Sequence, residues 1–251
     1  MSRLDKRRAI VTGASSGIGR GIAEAFASAG ATVGVNHPSA DEERQRAANV
    51  VESIHDAGGG ALRLEGDVSD ETSVRSMVEE FEAEAGTPDI LVNNAGILTQ
   101  SPLTEMTVEM WDETMDVDLR GVFLVTRYVL PKMLKQGSGK IINVASQLGI
   151  KGAKELVHYS AAKAGVIGLT RALAREVSPT VNVNAIAPGP IDTPLLGDIT
   201  NDWKEAKAAE IPMERFGTVS DIAPTAVFLA ADESDYYTGQ TLSPDGGDAM
   251  H

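Results

Sequence analysis

The amino-acid sequence predicts an α/β protein: a doubly wound sheet of about seven parallel strands with helices on both faces. Three observations carry that prediction. Short runs rich in valine and isoleucine alternate with longer amphipathic or alanine-rich segments, the pattern of βαβ units whose strands are covered on both sides. A glycine-rich turn joins the first such run to the first helical segment. No repeat, low-complexity tract or Pro/Gly/Ser linker interrupts the alternation, so residues 1–251 read as one domain.

Taken in order, the strands are expected at 8–12, 31–36, 61–65, 90–93, 140–145, 181–187 and 240–243. The first helix places Ile18, Ile22 and Phe26 on one face, with Gly30 just past its end. Another helix begins after Ser69-Asp70-Glu71, which offers a cap and early negative charge. Val74, Met77, Val78 and Phe81 follow helical spacing until Gly86 and Pro88 stop it. Both helices read as core packing.

Composition narrows the function. At 251 residues and 42% hydrophobic content the chain can bury a full core. A formal net charge of −14 argues against nucleic acid or an anionic membrane as partner, since both require a basic surface. No run approaches the roughly 20 apolar residues needed to cross a bilayer, and Met1-Ser2-Arg3-Leu4-Asp5-Lys6-Arg7-Arg8 leads into a short strand, which reads as a cytoplasmic protein. The absence of cysteine excludes disulfides and thiolate zinc sites. His37, His55, His158 and His251 show no metal-ligand spacing, so no metal is expected.

Two stretches carry chemistry. Thr12-Gly13-Ala14-Ser15-Ser16-Gly17-Ile18-Gly19 lies between the first strand and the first helix. There Gly13 permits a tight turn, Gly17 lets backbone approach a pyrophosphate, and Gly19 allows close helix–strand contact, with the helix N-terminus aimed at the anion. In Tyr159-Ser160-Ala161-Ala162-Lys163, a helix would put a phenol and an ammonium on one face. A phenol of ordinary pKa, about 10, needs such a cation to transfer protons near neutrality.

The glycine loop, Asn93-Asn94-Ala95-Gly96, Ser146, the Tyr159/Lys163 pair and Pro188-Gly189-Pro190-Ile191-Asp192-Thr193 follow one another in this order. Over nearly its whole length the chain thereby resembles the short-chain dehydrogenase/reductase family. The resemblance implies a Rossmann-type fold and an oxidoreductase that interconverts a ketone and a secondary alcohol with a nicotinamide dinucleotide. Gly13, Ser15, Ser16, Gly17, Ile18 and Gly19 would cradle the cofactor. Asp67 and Val68 would meet its adenine, and Asn94, Ala95 and Gly96 its ribose. Pro188, Gly189, Ile191 and Thr193 would meet the nicotinamide carboxamide or the phosphates.

In the catalytic roles the family implies, Ser146 orients a carbonyl oxygen and Tyr159 exchanges a proton with it. Lys163 holds the nicotinamide ribose and depresses the phenol's pKa. Where the family usually has an asparagine that holds a relay water, this sequence has Asp118; if the backbone carbonyl holds that water, Asp118→Asn is expected to be tolerated. A carboxylate near Lys163 would also alter its charge balance.

Cofactor choice turns on the end of the second strand, where an acidic residue would hydrogen-bond the ribose hydroxyls of NAD. The sequence reads Val35-Asn36-His37-Pro38-Ser39, without a carboxylate. Asn36 and Ser39 would accommodate a 2′-phosphate, although the usual basic residue is missing there and in the loop, where Ser16 stands. The lean is to NADP, with NAD left open.

Residues 194–216 would form a substrate lid in which Leu195, Leu196, Ile199, Trp203, Ile211 and Met213 stand among acidic residues and lysines. The opposite wall, 147–158, carries Lys151, Lys154 and Glu155, which allow a polar or anionic substrate. Small residues after Tyr159 (Ala161, Ala162, Ala164, Gly165, Gly168, Ala172) permit close helix pairing, which with the family's habit suggests a homotetramer completed by segments around 240–247. The leading substrate is a 3-oxoacyl thioester or similar ketone, as in the family's 3-oxoacyl-carrier-protein reductases. A sugar or polyol dehydrogenase is the alternative. A non-catalytic dinucleotide sensor is a third reading, against which the intact Ser146, Tyr159 and Lys163 count.

Overall fold

The structure is a computed structural model that describes residues 3–197 and 200–250. Its elements in chain order are β1 (Arg8–Val11), α1 (Gly17–Ser28), β2 (Thr32–His37), α2 (Asp41–Asp56), β3 (Gly60–Glu65), α3 (Glu71–Ala85) and β4 (Ile90–Asn93). The second half runs α4 (Val108–Met115), α5 (Gly121–Gln136), β5 (Gly139–Val144), α6 (Leu148–Lys151), α7 (Val157–Val177), β6 (Val181–Ile186), α8 (Asn201–Glu210), α9 (Val219–Ala230) and β7 (Thr241–Leu242). The seven strands form one parallel sheet in the order β3-β2-β1-β4-β5-β6-β7. Every strand expected from the sequence is present, with ends shifted by at most one residue where hydrogen bonding to a neighbour starts or stops.

Alternation along the strands builds two cores. Ala9, Val11, Val33, Val35 and Val92 face one layer, with Ile22 and Phe26 of α1 and Ile222 of α9. Ile10, Leu91 and Ile141 face the other, where Val74, Met77 and Phe81 of α3 meet Val129 and Met133 of α5. Because parallel strands are joined by helical crossovers, both faces are covered, and the strands are apolar at successive positions rather than at alternate ones. The Asp70 carboxylate caps α3, accepting from Ser73 N at 2.7 Å.

The chain reverses its direction of growth between β1 and β4, so a crevice opens beyond their carboxyl ends. The glycine loop after β1 and Asn94 after β4 meet there. A π-helical turn, Asp116–Arg120, links α4 to α5 and points Asp118 inward. Residues 194–216, expected as a lid, contain a short 3₁₀ turn at Pro194–Leu196 and then α8. Ile199 lies outside the described residues. Among the described residues no helix is long and apolar enough to cross a membrane, and no cluster of metal-ligating side chains occurs.

Candidate active site

The crevice is a cavity of about 750 Å³ running from the glycine loop to Tyr159. At the loop end, Gly13 has φ +60°, and a Cβ there would come within 2.8 Å of Ala95 Cα. A Cβ on Gly19 would strike Gly13 O at 2.3 Å. The loop thus closes on glycines that no larger residue replaces. Ser16 stands at the N-cap of α1 without a side-chain capping bond, and the first turn carries no acidic residue, so its N–H groups face the cavity mouth uncompensated. Ser15, Ser16, Gly17 and Ile18 all line this end, whereas Gly19 is enclosed in helix–strand packing.

Two asparagines brace the loop. Asn36 is buried; its Oδ1 accepts from Gly13 N at 3.1 Å, and its Nδ2 donates to Gly66 O at 2.9 Å and Leu64 O at 3.2 Å. Its carboxamide is thus held by main-chain groups of the protein, while Asn36 itself lines the cavity. Ser39 lies outside the cavity wall, its carbonyl accepting from Arg44. Asn94 similarly donates to Thr12 O at 2.9 Å and Gly13 O at 3.1 Å, so its side chain shapes the loop while Ala95 and Gly96 supply the close wall.

Asp67 and Val68 line the same end, the aspartate also accepting from Ser69 N at 2.9 Å. A carboxylate that strand-end reasoning missed stands there too. Glu43, in the first turn of α2, lines the cavity, accepts from the Ser15 hydroxyl and pairs with Arg46 at 2.8 Å. The signal was the run Asp41-Glu42-Glu43, which belongs to the following helix and not to the strand.

At the other end, α7 carries Tyr159 and Lys163, and Ser146 follows β5. A buried network locks these elements together: Asn93 donates to Asn143 at 2.8 Å and to Thr126 at 3.0 Å, and Asn143 donates to Thr170 of α7 at 2.9 Å. The Lys163 ammonium lies 5.5 Å from the centre of the Tyr159 ring and donates to Val144 O at 3.3 Å. Pro188, Gly189, Ile191 and Thr193 close the wall between the two ends.

Asp118 is fully buried behind Lys163. Its Oδ2 lies 3.0 Å from Nζ, a Coulombic contact rather than a well-aligned hydrogen bond, and its Oδ1 accepts from Ile97 N at 2.8 Å. It does not line the cavity and meets it only through Lys163. Burial pulls the Lys163 pKa down, but Asp118 and then Tyr159 outweigh it, and the ammonium titrates above its ordinary value. The Tyr159 phenol is pushed up, first by burial; Lys163 opposes this, Asp118 reinforces it, and the Ser146 hydroxyl opposes it again.

A switch-point crevice with an uncapped helix N-terminus at one end and a serine, tyrosine and lysine at the other defines a nicotinamide-dependent oxidoreductase. Comparison with known proteins agrees. A family profile described as enoyl-(acyl carrier protein) reductase matches residues 13–248. The chain is 42% identical over 242 residues to the 3-oxoacyl-[acyl-carrier-protein] reductase FabG of Staphylococcus aureus, covering 96% of this chain and 97% of that protein. It is 39% identical over 246 residues to the FabG of Thermotoga maritima, covering 98% of each. A gluconate 5-dehydrogenase from Burkholderia cenocepacia, solved with NADP and tartrate, superposes with a TM-score of 0.91 at 35% identity, covering 98% of this chain and 96% of that one. The chain belongs to the short-chain dehydrogenase/reductase family.

Proposed function

We propose that this oxidoreductase reduces the keto group of a 3-oxoacyl thioester, or a closely related ketone, to a secondary alcohol with NADPH. The observation that carries the reading is the placement of Ser146, Tyr159 and Lys163 at the far end of a cavity that begins at the glycine loop. The residues present fit a dinucleotide: the cavity volume suits a ligand of that size, and the first turn of α1 offers N–H groups to a pyrophosphate. Gly13, Ser15, Ser16, Gly17 and Ile18 would hold the phosphates, and Ile191 and Thr193 the nicotinamide end. Asp67 and Val68 would hold the adenine.

When bound, the nicotinamide supplies the hydride. The protein's part is proton transfer and orientation. Because burial pushes the Tyr159 phenol up, it is poised to donate a proton to the developing alkoxide during reduction. The Ser146 hydroxyl donates a second hydrogen bond to the same oxygen and fixes the carbonyl's face. Lys163, held by Asp118 and Val144 O, stabilises the phenolate that is left.

The absence of a strand-end carboxylate and the NADP-bound dehydrogenase among similar structures support NADP over NAD. A sugar or hydroxy-acid dehydrogenase is the second reading, favoured by the lysines that line the substrate end. A homotetramer built through α7 is supported by Gly168, around which no atom lies within 4 Å of a Cβ position, and by Phe123, 48% exposed on α5; light scattering reads the assembly. Turnover followed by the reduced nicotinamide's absorbance, with acetoacetyl thioesters, simple ketones and sugars against both cofactors, tests the whole reading. A rate with thioesters and NADPH supports it, and turnover only of sugars with NAD overturns it.

A further inference from the structure

The substrate end of the cavity carries charge that proton transfer does not use. Lys151 closes α6, one helical turn from Gln147, the neighbour of Ser146; Lys207 sits on α8 across the opening. Both line the cavity. Behind them stands Asp248, 7% exposed at its side chain, 2.7 Å from Lys151 and 3.5 Å from Lys207, and it also accepts from Gln147 Nε2 at 2.7 Å. Glu210 holds Lys207 from the outer side at 2.8 Å.

Neither carboxylate lines the cavity. Among the described lining residues the only carboxylates are Glu43 and Asp67, and both belong to the glycine-loop end. Besides Lys163, the chamber around Ser146 and Tyr159 therefore presents two ammonium groups, Lys151 and Lys207, whose carboxylate partners do not line the cavity. In a chain of net charge −14, whose overall field repels anions, the two lysines with Asp248 and Glu210 form a locally neutral cluster whose ammonium side faces the cavity.

We infer that Lys151 and Lys207 form a seat for an anionic group of the substrate, a carboxylate or a phosphate, reached from both the fixed wall and α8. This rests on the reading that the carbonyl binds at Ser146 and Tyr159. Asp248 holds the two lysines towards one point, and a bound anion ties α8 to the wall over the reacting carbon. Lys151 is four residues on from Gln147, roughly 6 Å along the helix axis, so a carboxylate a few bonds from the ketone suits the seat.

Calorimetric titration of the NADP-loaded protein with succinate, and separately with inorganic phosphate, tests the seat without requiring turnover. The wild type is expected to bind, and Lys151→Met and Lys207→Met to weaken that binding about tenfold or more. Lys154→Met is the control: its side chain is 92% exposed and lies outside the cavity. Absence of binding to the wild type, or equal binding by all four proteins, overturns the inference.

Kinetics then separate the sources of the charge. The kcat/KM ratio for a short oxo acid over its methyl ester falls about tenfold in the lysine variants if a carboxylate is seated; the ratio for a coenzyme A thioester over its short neutral thioester falls if a phosphate is. If neither ratio moves, the seat is refuted. Absence of turnover with every carbonyl compound, with succinate still bound through the lysines, refutes the proposed reaction instead.

Discussion

The two ends of the cavity are built from different materials. The glycine-loop end is made of backbone: its shape comes from Gly13 and Gly19, and Asn36 and Asn94 spend their carboxamides on main-chain groups. The catalytic end is made of buried charge: Lys163 and Asp118 face each other at 3.0 Å beneath a buried phenol. Binding an invariant ligand needs a fixed surface, which satisfied hydrogen bonds provide. Moving a proton needs a tuned pKa, which only neighbouring charges and exclusion of water provide.

Substitutions break this contrast in graded ways. Tyr159→Phe removes the proposed proton donor and should lower kcat about 10²–10⁴-fold with dinucleotide affinity retained, read by turnover and by cofactor titration. Asp118→Ala leaves an unpaired cation buried and should cost roughly 3–5 kcal/mol, measured by denaturant unfolding.

Asp118→Asn is the finer probe. Reduction needs the protonated phenol, so kcat/KM is level at low pH and falls as pH rises through the Tyr159 pKa. The Asp118 charge raises that pKa, so its removal should move the falling limb to lower pH. A limb that stays in place would show that Asp118 acts on geometry alone.

At the other end, Asn36→Ala strips acceptors and donors from Gly13, Leu64 and Gly66. A cost of about 1–3 kcal/mol and a raised cofactor KM are expected, with the pH limb unmoved. The smallest effect belongs to Glu43→Gln: removing a partly exposed carboxylate from the nucleotide end should raise the NADPH/NADH ratio of kcat/KM by roughly fivefold, since an exposed charge pair is worth about 1 kcal/mol. A ratio that falls would make Glu43 a ligand for the cofactor's phosphate side through Arg46.

The two ends were also unequally legible. The glycine loop, the strand before it and the helix after it are contiguous, and a glycine that must pass within 2.8 Å of another backbone announces itself as a glycine. Ser146, Tyr159 and Lys163 were visible because β5 and α7 deliver them from nearby in the chain. Asn36 was legible only in part, for the opposite reason. Its place at a strand end is that of a cofactor ligand, and only the packing of β2 beside β1 and β3 shows its polar atoms already paired.

By itself, the sequence determined the order of strands and helices and the parallel sheet, because these are written in local period and turn chemistry; it also pointed to the glycine loop as the proposed phosphate site and, through the family resemblance, to Tyr159 as the proposed proton donor. Tertiary structure alone decided what surrounds those groups. Ser15 meets Glu43 across 28 residues, Lys151 meets Asp248 across 97, and Asp118 reaches Lys163 from a π-helical turn. Charges separated along the chain have no local signature, and their effect depends on distance and on the water excluded between them, which only the folded packing sets.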